Sequence, residues 1–378
     1  SSKKKDKAKK TKTEIDWISR LIERTTTKID IFKAKLQNLF TVKAKNSNLN
    51  KQLKQTTKLI NAYGTAVKKY TKKADSVKFS SGLKKQVREG KIKGKPKDLI
   101  KKYGEKTSNK IQAYQNWYDK AQDAKKNKEA QITAKRELTQ QKLQNYVDLY
   151  DSRTARAEAK ESIQTNAKDK NKTIGTQIKN VEKSYTKQIK IAKEVTKNKA
   201  EADRLEYERQ LKIRELKQKG LQYYVDEYNA SADLAGLNAE NAVGYEKQNG
   251  FISTQLSYLQ KSYAKQIEIA KLANDKTEQD RLQAEYEAKK VDLQKQQIDN
   301  IKAEYENKIS HINNGKQNIS NALSEAESRG NIVQAAFYSS LNSYEEQVLA
   351  KLNEERGKLL AQQNTFTQYS QEWYDLQS

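Results

Sequence analysis

Cysteine is absent from all 378 residues, which excludes disulfides and thiolate metal sites and is neutral about compartment. Proline occurs once, at Pro96, so little in the composition interrupts long helices. Histidine also occurs once, at His311, which rules out histidine triads and two-histidine metal sites within this sequence. No run reaches the roughly 18 apolar residues of a transmembrane helix, and Ser1-Ser2-Lys3-Lys4-Lys5 lacks the apolar core of a secretory signal. Methionine is missing altogether, and Trp373–Ser378 stops inside a helical pattern without a cap, so we expect an excerpt of a longer chain. Neither a P-loop nor a dinucleotide-binding glycine pattern occurs. Carboxylates are abundant but lie on Glu-rich helix faces, with no pair beside an apolar pocket that would shift a pKa. The expectation is no enzyme, with catalytic, cofactor-binding and metal residues all absent.

Apolar residues make up only 35%, mean hydropathy is -1.08, and 21 Tyr outnumber six Phe. This suits half-exposed seams better than a dry interior. One stretch is written twice. Ile174, Ile178, Val181, Tyr185, Ile189 and Ala192 return 78 residues later as Ile252, Leu256, Leu259, Tyr263, Ile267 and Ala270. Spacings of three and four put a narrow apolar stripe on one helix face, enough to zip against another helix. Arg136-Glu137-Leu138 and Tyr146-Val147-Asp148 recur as Arg214-Glu215-Leu216 and Tyr224-Val225-Asp226 at the same offset. Leu205, Leu216, Leu221, Tyr224 and Tyr228 map to Leu282, Leu293, Ile298, Ile301 and Tyr305 at an offset of 77, a one-residue slip that slight helix rewinding would absorb. The expected fold is all-α: long amphipathic helices in coiled-coil-like hairpins or an array, elongated and without a compact core.

Three regions follow. Residues 1–13 are expected to be a basic disordered tail or linker, since residues 1–12 hold seven Lys and one Asp. Residues 14–130 read as a strongly basic helical hairpin. A first helix, with Ile15, Ile18, Leu21 and Ile22 opening its stripe, should reach about Asp75. A turn rich in Gly and the single Pro covers 79–107, with a short helix near Leu83–Arg88, and a second long helix starts at Ile111, Tyr114 and Trp117. Residues 131–378 form the array of about 78-residue period. Gly236, Gly244, Gly250, Gly315 and Gly330 should mark its corners or hinges, since Gly250 and Gly330 are each followed two residues on by Ile. Trp17, Trp117 and Trp373 are expected to anchor helix packing, and His311 to be a packing residue.

Charge is unevenly placed. Residues 1–130 carry 37 Lys and Arg against 12 Asp and Glu, whereas residues 131–378 carry 38 against 36. The first region should attract polyanions such as DNA without sequence preference; the alternative is a solvated Lys-rich helix surface.

Gln86-Val87-Arg88-Glu89-Gly90-Lys91-Ile92, then Lys110-Ile111-Gln112-Ala113-Tyr114-Gln115-Asn116-Trp117-Tyr118-Asp119-Lys120, resembles a stretch of tail tape-measure proteins from long-tailed phages and prophages of Gram-positive bacteria. So do Glu327-Ser328-Arg329-Gly330-Asn331-Ile332 with Tyr338, and Ser370-Gln371-Glu372-Trp373-Tyr374-Asp375. The Lys-rich stretch from Gly90 to Gly104 departs from that pattern. The resemblance implies a helical structural protein of the virion tail, assembled in the bacterial host cytoplasm. Lying in the tail tube, it would set tail length and leave with the DNA. Implied partners are tail-tube and tail-assembly proteins, with self-association through helices. A coiled-coil arm of a nucleic-acid-organising protein, a fibrous cell-surface protein and the stalk of a muralytic enzyme are the alternatives.

Overall fold

The computed structural model describes residues 2–92 and 94–377, and the side chains of residues 13, 16–92 and 94–362. The fold is all-α. The described elements are α1 (Ser2–Leu36), α2 (Val42–Ser76), α3 (Ser81–Arg88), α4 (Pro96–Tyr103), α5 (Glu105–Ser162), α6 (Ala167–Lys190), a π-helical turn (Ile191–Val195), α7 (Lys199–Asn241), α8 (Tyr245–Leu272), α9 (Lys276–Ser328) and α10 (Ile332–Gln377). No strand occurs among the described residues, and no described helix is long and apolar enough to cross a membrane. The chain divides into two units: Ser1–Ala155 with Lys179–Gln210, and Arg156–Ile178 with Leu211–Ser378.

In the first unit, α1 and α2 form an antiparallel pair that α5 completes. Ile18 of α1, Ala66 of α2 and Ala124 of α5 bury together, flanked by Ile22, Tyr63 and Val67. The helix expected to run unbroken to Asp75 instead turns at residues 37–41. No Gly or Pro marks this corner. Thr41 makes it, because its hydroxyl accepts from the Ala44 N–H at 3.1 Å and caps α2. Residues 1–12, expected as a disordered tail, have side chains outside the described residues, while the backbone from Ser2 belongs to α1.

Residues 79–107 do more than turn the chain. α3 and α4 fold over the ends of α2 and α5 and enclose a small core of Ala74, Val87, Ile92, Leu99, Ile111 and Tyr114, with Phe79, Leu83 and Trp117 packed against it. Pro96 sits in the first turn of α4, where its missing N–H costs nothing. Gly90 and Gly104 take positive φ to end α3 and α4.

In the second unit Ala239 of α7, Ile252 of α8 and Leu293 of α9 bury together, and farther along the α8–α9 pair so do Tyr263, Ala270 and Leu282. α10 returns antiparallel along α9, with Lys316 bonded to Glu346 at 3.3 Å. Gly244 caps α8 at φ 90, and Gly330 follows α9 at φ 69 with the Asn331 N–H on the Ala326 carbonyl at 2.9 Å. These two glycines are corners as expected. Gly236, Gly250 and Gly315 are not, for they lie inside α7, α8 and α9.

Two further corners carry no glycine: Lys197 and Asn274 hold φ 51 and 56. After each, a side chain caps the next helix, Asn198 on the Glu201 N–H at 3.0 Å and Asp275 on the Glu278 N–H at 2.9 Å. The one-residue slip lies here, and rewinding along a helix does not absorb it. Before the corner Ala192 matches Ala270, and after it Asn198 matches Asp275, so the first corner holds one more residue. The π-helical turn takes it in, with the Thr196 N–H reaching back five residues to the Ile191 carbonyl at 3.0 Å. Left-handed backbone costs an ordinary residue about 1–2 kcal/mol and Asn less. Lys197→Gly should therefore raise stability by about 1 kcal/mol, and Asn274→Gly by less. Urea denaturation followed by circular dichroism would check both, and a destabilised Lys197→Gly would contradict the strain.

Candidate functional site

The features that recur with the period are polar contacts across helix seams. In the first unit Tyr146 and Tyr150 of α5 stack at 6.3 Å. Lys187 and Lys183 of α6 lie over these rings at 5.2 and 5.6 Å. The Ser184 hydroxyl donates to Asp151 at 2.6 Å, while Gln188 donates to the Ser184 oxygen at 3.1 Å. In the second unit, 78 residues on, Tyr224 and Tyr228 stack at 5.9 Å under Lys265 and Lys261. Ser262 donates to Asn229 at 2.6 Å, and Gln266 donates to Ser262 at 3.1 Å. Asp151 and Asn229 differ in charge but present the same acceptor. The hydrogen bond is thus what the repeat keeps. Each serine is almost wholly buried, so a one-turn slip of either helix would strand it without a partner.

Other contacts recur as pairs. The α6 Ala167 N–H and the α8 Tyr245 N–H donate to Glu227 and Glu304, and Asn171 and Asn249 donate to the carbonyls of Gly220 and Gln297. At the other corner Arg204 binds Glu201 and Glu208, as Arg281 binds Glu278 and Glu285. These arginine clusters are exposed and add little to stability. Together the contacts fix helix register at intervals of one repeat.

One buried carboxylate stands apart. Glu161, near the end of α5, is 3% exposed. It accepts from Gln177 of α6 and from Tyr223 of α7, and it pairs with Lys219 at 2.6 Å. Burial pushes its carboxyl up, but the bonds from Lys219, Tyr223 and Gln177 outweigh that and hold it below the ordinary carboxylate range. Burial first, then the Glu161 carboxylate, pushes the Tyr223 phenol up to about 12. A phenol raised in the folded state stabilises it below the unfolded value of about 10 and loses that contribution as pH rises through about 12. In an ultraviolet alkaline titration, Tyr223→Phe should remove a phenol that ionises near 12. A Tyr223 that ionises near the ordinary value of about 10 would contradict this.

The sequence does not single out Glu161, whose periodic counterpart is Ala239. The detectable signal is that mismatch: a Glu where the next repeat has Ala. Glu161 is one carboxylate among polar partners and not a carboxylate pair beside an apolar pocket, so it does not overturn the expectation that no such pair occurs. His311 is exposed on α9 and is not a packing residue. Trp117 anchors packing, stacked on Tyr70 at 5.9 Å, but Trp17 is 60% exposed and does not. The Trp373 side chain lies outside the described residues. Among the described residues no cluster of His, Asp and Glu could hold a metal ion.

The remaining surface of note is basic. Residues 78–110 hold twelve Lys and Arg against three Asp and Glu. Lys85 and Lys91 pair with Glu89 at 3.8 and 2.6 Å. Lys84 lies over Phe79 and Tyr114 at 5.5 and 5.3 Å. Arg88, Lys95, Lys97, Lys101 and Lys106 are exposed and form no ion pair among the described residues. Comparison with known proteins finds no matching family model, no matching curated protein and no matching solved structure.

Proposed function

We propose that this chain is a structural segment of a phage tail tape-measure protein, with the repeated hairpin as its unit of length. One observation carries the reading: the Ser184–Asp151 and Ser262–Asn229 locks, with their lysine-capped tyrosine pairs, recur at a spacing of 78 residues. A spacer needs this kind of construction, in which each unit fixes its own register and contributes a set advance. The protein would work in the virion tail, against tail-tube and tail-assembly proteins, and would self-associate through its helices. Elongation of the whole chain belongs to the same proposal, and small-angle scattering tests it. A radius of gyration near the roughly 21 Å of a globule this size would count against it. A coiled-coil arm of a nucleic-acid-organising protein would require long unbroken heptads, and the corners at 163–166, 196–198 and 242–244 weigh against that reading.

The test is an in-frame deletion of residues 174–251 in the phage or prophage, with tail lengths read by electron microscopy. Joining Thr173 to Ile252 splices α6 into α8 with the apolar ladder in register. Glu161→Ala in the same deletion removes the carboxylate whose partners Gln177, Lys219 and Tyr223 are lost, so length is separated from misfolding. A continuous helix of 78 residues would remove about 117 Å. Because the unit turns back on itself, the loss should not exceed its longer limb, the 43 residues of α7, or about 65 Å. Normal numbers of tails at unchanged length would sink the proposal.

A further inference from the structure

The face formed by α3, α4 and the first turns of α5 is not used by the length-setting reading. Its fold is self-contained, since Val87, Leu99 and Ile111 point into a common core and leave the opposite sides of these helices in solvent. Those sides are basic. Lys85, Arg88, Lys95, Lys97, Lys101 and Lys106 are exposed within a stretch whose twelve cations meet three carboxylates. The charge is not neutralised internally, because ion pairing here draws on Glu89 alone among the described residues. In the second unit some of the cations pair along the helices, as with Arg281, Lys289, Lys308 and Arg329. Unpaired charge at this density destabilises a small core by self-repulsion. A polyanion would relieve that repulsion.

Two features separate the classes of polyanion. A protein interface needs buried aromatic or arginine anchors at its centre, and the only large apolar side chain exposed among the described residues of 78–110 is Ile100, at 40%. Arginine forks bind carboxylates and phosphates alike in directed two-pronged pairs, whereas lysine is a compact point charge that binds phosphate without such direction. Within 78–110, eleven of the twelve cations are lysine. Lysines without an apolar anchor or a fork suit closely spaced phosphates, which need charge and little direction.

We propose that the α3–α4 face is a sequence-independent binding surface for the phosphate backbone of nucleic acid. The test uses the whole chain and a fluorescent DNA duplex of arbitrary sequence, with anisotropy read from about 50 to 200 mM salt. The unmodified chain should bind with a log–log salt slope steeper than about -3. Changing Lys85, Arg88, Lys95, Lys97, Lys101 and Lys106 to Gln should weaken binding at least about tenfold at low salt and flatten the slope by about 3 to 5. The same number of changes at Lys168, Lys172, Lys199, Lys212, Lys247 and Lys302, exposed positions beyond residue 130, should leave both nearly unchanged. Circular dichroism of each variant confirms that the helices persist, and the salt slope of the unmodified chain does not depend on any variant folding. A slope near zero, or a six-residue variant that binds like the parent, overturns the proposal. So does poly-glutamate that displaces the duplex at equal charge concentration, which would assign the face to an acidic protein.

Discussion

Glu161→Ala should destabilise the second unit by about 2–4 kcal/mol, because it strands three partners at once. The Gln177 amide, the Tyr223 hydroxyl and the Lys219 ammonium all close on this carboxylate. Near the C-terminus of α5 a negative charge is also unfavourable to the helix dipole, so those bonds hold it against the local field. The periodic counterparts show a different solution for the same place. Where the first repeat has Glu161, Lys219 and Tyr223, the next has Ala239, Gln296 and Asn300, and Asn300 donates to Asn249 at 2.9 Å. Combining Glu161→Ala with Lys219→Gln and Tyr223→Asn should therefore recover at least half of the loss. Chemical denaturation, with hydrogen exchange over residues 156–178 and 211–241, distinguishes the outcomes. A cost below about 0.5 kcal/mol for the single change would mean that the cluster is already hydrated and contributes no more than an exposed pair. A carboxyl held low in the folded state contributes stability above its unfolded value of about 4.3, and loses it as pH falls through the lower folded value. Glu161→Gln should flatten that acid limb of the stability curve.

Ile111→Ala should cost about 3 kcal/mol and loosen α3 and α4 together. Ile111 is fully buried at the centre of a core contributed by four helices and the segment between α3 and α4. α3 and α4 have eight residues each, too short to persist without tertiary contacts. Removing three carbons there opens a cavity that these helices cannot close, since Gly90 and Gly104 fix the angles at which they leave. Hydrogen exchange should show faster opening over residues 81–103, with α8 and α9 unaffected. A uniform increase along the chain would show instead that the α3–α4 core is not a local unit.

The sequence disclosed elements whose signals are local. Spacings of three and four marked the seam faces of α6 and α8, and Gly244 and Gly330 marked corners because positive φ is cheapest for glycine. The corner at residues 37–41 has no such residue and rests on Thr41, one of many threonines in the chain. The corners at Lys197 and Asn274 carry a weaker signal. Asn198-Lys199-Ala200-Glu201 and Asp275-Lys276-Thr277-Glu278 each place an amide or carboxylate side chain three residues before a Glu, a helix-start pattern that also occurs by chance. Gly250 misled for the opposite reason: a glycine followed by an apolar residue fits a helix end, yet α8 runs through it.

Composition and periodicity by themselves determined that this chain is helical, that its seams are narrow, that it repeats at 78 residues and that its net positive charge lies almost wholly in the first 130. Each of these depends on side-chain type and spacing along one strand of chain. Only tertiary structure decided what depends on which helices meet. It placed a lone glutamate among Gln177, Lys219 and Tyr223, gave the extra residue of one repeat to a π-helical turn, and closed a small core under α3 and α4. Such contacts join residues tens of positions apart. Their energy comes from desolvation and hydrogen bonds that do not exist until the helices pack, so no window along the sequence contains them.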